Sequence, residues 1–84
     1  MRSYFITFRS VTFAQRGESA LHAAGIGCVL QRTPRWMEAQ GCGYCLKVRE
    51  PSGKQALEVL RRKQIQFRKL YLQQEDGEIE EVAL

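Results

Sequence analysis

The residues here that could do chemistry sit in one run, Thr33-Pro34-Arg35-Trp36-Met37-Glu38-Ala39-Gln40-Gly41-Cys42-Gly43-Tyr44-Cys45. A thiol acts as a nucleophile only as its thiolate, and basic neighbours or converging backbone amides favour that form. Cys42 has both kinds of neighbour. The flanking Gly41 and Gly43 let the chain turn sharply and leave its amides accessible, as in an anion-binding nest. Arg32 and Arg35 add positive charge to the same stretch. The chemistry this suggests is thiol exchange at Cys42, with a sulfur anion held by arginine and glycine amides. The plainer alternative is a small residue chosen for size at a turn.

Other chemistries find little support. Zinc asks for four ligands, and one chain offers only Cys42, Cys45 and His22. No metal is therefore expected, and a four-sulfur site would need two chains. His22, near the end of a helix and off its apolar stripe, reads as an exposed residue. There is no phosphate loop, dinucleotide fingerprint or Ser-His-Asp pattern, so no cofactor is expected. The acids Glu75, Asp76, Glu78, Glu80 and Glu81 are crowded into the tail, which suits no paired-carboxylate mechanism.

The elements that must position Cys42 follow from patterning. Tyr4 to Phe8 is aromatic and β-branched, a strand. Ser10 can cap a helix whose stripe is Phe13, Gly17, Ala20, Leu21 and Ala24, with Gly25 as its stop. Gly17 inside that helix costs about 1 kcal/mol against Ala, so close packing on the sheet is its expected reason. Ile26 to Gln31 alternates as a second strand, and Cys28 shares a face with Ile26 and Leu30 as a core thiol. After the loop from Arg32 to about Gly43, Tyr44, Leu46 and Val48 form the inner side of a third strand. A second helix runs from Gly53 to about Lys63, with Ala56, Leu57, Leu60 and Gln64 on its stripe. Phe67 to Leu72 reads as a fourth strand. Asp76-Gly77 is a turn, after which the chain either adds a short edge strand or frays.

The order β-α-β-β-α-β predicts an α+β domain with a ferredoxin-like sandwich, an antiparallel sheet with two helices on one face. We expect one such domain over residues 1–74 and an acidic tail over residues 75–84. On the other sheet face Phe5, Val29, Cys45, Lys47 and Arg49 should lie together and open. Alternation thus turns Cys45 away from the helices and separates it from Cys42. A disulfide needs Cα atoms within about 7 Å, which strand geometry across three residues usually exceeds. The pair also runs from loop into strand, unlike a thioredoxin-type motif at a helix start. Trp36 could cover the thiol, contact a partner or pin the loop.

Composition bounds the rest. The 84 residues carry a formal charge of +4, with thirteen Lys and Arg against nine acids and three cysteines. An odd number of cysteines without a leader-like start points away from a secreted disulfide framework and toward a reducing cytoplasm. No run approaches the ~20 apolar residues of a membrane span. RNA binding through Arg61, Arg62, Lys63, Arg68 and Lys69 is disfavoured, because no pair of stacking aromatics accompanies them.

Taken together, the YFITF strand, the helix ending Ala24-Gly25-Ile26, Thr33-Pro34-Arg35 and Gly41-Cys42-Gly43 resemble a family of small bacterial selenium/sulfur (Se/S) carrier protein-like domains. The likeness runs over roughly residues 3 to 72, and its sharpest element is T-P-R followed after a short loop by C-G. The resemblance implies a non-enzymatic carrier holding sulfur or selenium on Cys42 as a persulfide or selenosulfide. On that reading Arg35 and Arg32, with Pro34, Gly41 and Gly43, form the binding loop, and Cys45 is either a resolving thiol or incidental. The implied partners are a donor such as a cysteine desulfurase and an acceptor protein, with room for a homodimer. The alternative is an interaction or regulatory module of the same fold that uses its open sheet face.

Overall fold

The computed structural model describes residues 2–34 and 43–82. Five strands and two helices follow one another as β1 (Ser3–Thr7), α1 (Val11–Ala23), β2 (Val29–Arg32), β3 (Tyr44–Arg49), α2 (Gly53–Arg62), β4 (Leu70–Gln73) and β5 (Ile79–Val82). The sheet order is β2-β3-β1-β4-β5, and every neighbouring pair is antiparallel. β3 thus lies between β1 and β2, and β1 lies between β3 and β4.

This is a small α+β domain with an antiparallel sheet and two helices. It differs from the expected four-stranded arrangement by β5, which pairs with β4 and ends the sheet (Leu70 opposite Val82, Gln73 opposite Ile79). The acidic segment folds back because of its turn chemistry. Gly77 takes φ +91°, a left-handed conformation that glycine adopts without strain. The Glu78 N–H donates to Asp76 Oδ1 at 3.0 Å, and the Gln74 N–H donates to the Glu78 carbonyl at 2.7 Å. Across the same hairpin the exposed Lys69 Nζ and Glu81 Oε1 lie 3.6 Å apart.

The helices are bounded by local chemistry. Ser10 accepts from the Phe13 N–H at 3.3 Å, the expected cap of α1. At the far end Gly25 takes φ +78°, the Gly25 N–H donates to His22 O at 3.0 Å and the Ile26 N–H to Leu21 O at 2.8 Å. That is a Schellman stop, with its usual apolar contact supplied by the buried Leu21 and Ile26. α2 stops the same way. Gln64 N–H donates to Arg61 O at 3.0 Å and Ile65 N–H to Leu60 O at 2.9 Å. Here the left-handed residue is Gln64, φ 59°, at a cost of about 1–2 kcal/mol that the burial of Ile65 and Leu60 offsets.

Both helices pack on the face that presents Ile6, Leu46, Val48 and Leu70, together with Phe8 just past β1. α1 contributes Ala14 and Leu21, and α2 contributes Ala56, Val59 and Leu60. Val59 takes the fully buried position expected for Leu57, which is only partly buried. At Gly17 α1 comes close to the sheet and to α2. A Cβ there would lie 3.1 Å from Phe8 Cζ, 3.2 Å from Leu46 Cδ1 and 3.3 Å from Leu60 Cδ2, so close packing explains the glycine.

The opposite face is not open at its centre. Phe5 (5% exposed), Cys45 (0%) and Tyr71 (8%) form a second buried cluster with Ile79 packed against it. The register places Phe5 between Lys47 and Tyr71, as alternation predicted, with Val29 opposite Lys47 and 56% exposed at the sheet edge. Among the described residues no helix is long and apolar enough to cross a membrane.

Candidate functional site

The site is built on the β2–β3 hairpin. Leu30 pairs with Leu46, Gln31 with Cys45 and Arg32 with Tyr44. The next rung is the Thr33 N–H donating to the Gly43 carbonyl at 2.8 Å. That bond closes a neck, so Thr33 and Gly43, the motif residues on either side of positions 35–42, stand side by side. Gly43 takes φ +79°, and a Cβ at this position would meet no atom of the described residues within 4 Å. Its glycine is therefore a requirement of backbone conformation, not of space.

Of the residues expected to bind, Arg32, Pro34 and Gly43 stand at this neck. Arg32 is exposed, with its guanidinium 5.4 Å from the centre of the Tyr44 ring, a cation–π contact that holds the charge beside the loop. Arg35, Gly41 and Cys42, and Trp36 with them, lie outside the described residues.

Thr33 is the residue that the sequence reading left out of the site although it heads the motif. Its Oγ1 is buried and has no hydrogen-bond partner among the described residues. A buried hydroxyl without a partner costs about 1–3 kcal/mol, so its partner is worth asking for. The signal was present in the T-P-R spacing, but nothing in the sequence says which side chains lose their water.

Cys45 is corrected from the expected open position. It does face away from the helices, but it is fully buried between β-strand neighbours and packs with Phe5 and Tyr71. Alternation gives the face and says nothing about cover. Cys28 also departs from expectation. It precedes β2, which starts at Val29, and it is half-buried, packed against the rim of the helix-side core. Burial, and secondarily the Glu18 carboxylate, push its thiol up to about 11. His22 is exposed as predicted, with Nε2 3.3 Å from the Cys28 carbonyl oxygen.

These placements predict thiol reactivity. At neutral pH Cys28 and Cys45 are alkylated slowly in the folded protein, Cys28 because it keeps its proton and Cys45 because reagent cannot reach it. The Cys28 rate climbs only as pH approaches about 11. Between the usual thiol value of 9.0 and about 11 the unfolded chain has lost this proton while the folded chain keeps it, so stability falls as pH rises through that window. Alkylation followed by mass mapping checks both, and modification of Cys28 at neutral pH as fast as a small free thiol contradicts the assignment.

The family model described as "Putative Se/S carrier protein-like" matches residues 3–72, from the first residue of β1 into β4. The chain belongs to that family. The matched span holds the whole neck and the motif it closes. No curated protein and no solved structure matches the chain. The family's description is that of a carrier, not of an enzyme.

Proposed function

We propose that this protein carries one sulfur or selenium atom on Cys42, taken from a donor such as a cysteine desulfurase and passed to an acceptor protein. The observation that supports this most is the neck, where the Thr33–Gly43 hydrogen bond of 2.8 Å gathers the motif within the family match. The same reading takes the domain as a ferredoxin-like one extended by β5. Fold alone does not decide function, so the weight rests on the motif.

Loading is thiol exchange. The Cys42 thiolate attacks the outer atom of a donor persulfide or its selenium counterpart. The bond from that atom to the donor sulfur breaks, and its electron pair leaves on the donor thiolate. Cys42 becomes a persulfide or selenosulfide without net oxidation. Delivery repeats the step, with an acceptor nucleophile attacking the outer atom and Cys42 leaving. Arg35 and Arg32 offset the negative charge, the amides around Gly41 and Gly43 donate to it, and Pro34 fixes the direction in which the loop departs. A route through Cys45 would have its thiolate attack the Cys42 sulfur and expel hydrosulfide or hydroselenide, leaving a Cys42–Cys45 disulfide for an external thiol to reduce. The full burial of Cys45 favours direct delivery instead. It also weighs against the alternative of an interaction module using an open sheet face, because Phe5, Cys45 and Tyr71 fill the centre of that face.

In this reading the orphan Thr33 hydroxyl donates to the loaded anion. Thr33→Val keeps the shape and removes the hydroxyl. The variant is expected to be as stable as the parent or slightly more so, and to load about ten- to a hundredfold more slowly, the worth of a hydrogen bond to a charged group. Incubation with a cysteine desulfurase and radiolabelled cysteine tests the function itself. The result expected is thiol-labile label approaching one atom per chain, and label no higher than on unfolded protein overturns the proposal.

A further inference from the structure

We propose that a groove across the adjoining ends of β1, β2 and β3 is a binding site for a small tetrahedral oxyanion. The groove has a volume of about 710 Å³ and is lined by Ser3, Cys28, Val29, Lys47, Arg49 and Ser52, with Gly27 at its edge. Lys47 and Arg49 are two apart on β3, so both side chains leave the same face of the strand. The register sets Arg49 opposite Ser3 and Lys47 opposite Val29. Two cations therefore share one depression, and no acid lines it.

Among the described residues neither charge is spent in an ion pair. The ion pairs seen among the described residues are Arg2–Glu50 at 3.5 Å and Lys69–Glu81 at 3.6 Å, and they use neither residue. Lys47 Nζ sits 5.8 Å from the centre of the Phe5 ring, which directs the ammonium along the face and leaves its N–H donors available. Arg49 is exposed and presents a planar fork that matches an oxyanion edge with two parallel hydrogen bonds. Ser3 and Ser52 supply hydroxyl donors from β1 and from the short 3₁₀ turn Glu50–Ser52. Cys28 lines the same groove as a protonated thiol, so it adds no negative charge to repel an anion.

Both cations stand on one strand and line one depression, so a single small anion can meet both. The mutual repulsion of Lys47 and Arg49 is relieved when an anion binds between them. The site is separate from the neck, since it lies at the β3 end opposite Tyr44, and it stands whether or not Cys42 carries cargo.

An amide-resolved NMR titration with sodium phosphate and, separately, sodium thiosulfate tests it, with sodium chloride keeping ionic strength constant. Saturable shifts are expected at Cys28, Val29, Lys47, Arg49 and Ser52 with both probes. Arg49→Gln, and Lys47→Gln/Arg49→Gln more so, should weaken binding, the double variant by about tenfold or more. Shifts that do not saturate, shifts that chloride reproduces, or equal binding by the double variant would overturn the assignment. Both side chains reach solvent, so the same spectra report whether the variants keep the fold.

Discussion

Replacing Cys42 with serine abolishes loading with sulfur or selenium and leaves the fold unchanged. Serine keeps the size of the side chain and removes the only atom that can hold the cargo by exchange. An alcohol is not ionised at neutral pH, and an S–O linkage is not formed by attack on a persulfide. The expected loss is therefore complete, not partial. Serine at position 45 gives the opposite result. Cys45 is fully buried beside Phe5 and Tyr71, so that substitution places a hydroxyl in an apolar cluster. It costs stability, about 1–3 kcal/mol if the hydroxyl finds no partner, but leaves loading in place. Intact-mass measurement after incubation with a desulfurase and cysteine separates the two. Loss of loading by both variants would make Cys45 part of the chemistry.

The largest effect on stability is expected at Phe8. Among the described residues it is the largest completely buried side chain, and it packs at the junction between the end of β1, α1 and the sheet. Phe→Ala in a core costs about 3–5 kcal/mol, through lost transfer energy and the cavity left behind. A chain of this length has about 4–12 kcal/mol in total, so Phe8→Ala removes a large share of it. Thermal melting followed by circular dichroism should fall by on the order of 20 °C. The close approach of Gly17 gives a sharper version. Gly17→Ala alone brings a methyl group to 3.1 Å from Phe8 Cζ, which offsets the ~1 kcal/mol that Ala gains over Gly in a helix. Combined with Phe8→Leu the tightest of the three contacts is relieved, so the double variant should be more stable than the two single changes sum to. A Phe8→Ala melting point within a few degrees of the parent would mean that this junction is not the keystone of the core.

Local rules made much of the fold legible before any coordinates. Ser10 capped, Gly25 stopped and Gly17 packed where their chemistry said they should. Asp76-Gly77 turned, and the chain beyond it did not fray but formed β5. What escaped the sequence shares one cause: it depends on what lies above a face. Alternation turns Cys45 away from the helices but cannot say that Phe5, Tyr71 and Ile79 will enclose it. Leu57 and Val59 flank the Ala56–Leu60 stripe of α2 on opposite sides, and spacing alone does not say which flank is the more buried. Gln64 was read as part of a stripe, but it took the left-handed position that glycine usually holds. The site was legible in the same measure. The T-P-R and C-G halves were recognised as a unit, and the Thr33–Gly43 bond gives that unit a neck. The orphaned hydroxyl of Thr33 could not be foreseen, because desolvation is a property of the folded surroundings.

The most direct test of the central claim is to find which atom bears the cargo. After loading by a desulfurase and cysteine, the chain can be alkylated and cut after Arg35 and Lys47, releasing residues 36–47 with both Cys42 and Cys45. Fragmentation of that peptide locates the added atom. The account predicts the alkyl group on Cys42 to sit on an extra sulfur or selenium atom and that on Cys45 to sit directly on its own sulfur; an added atom on Cys45 or on Cys28, or none on this peptide, would contradict it.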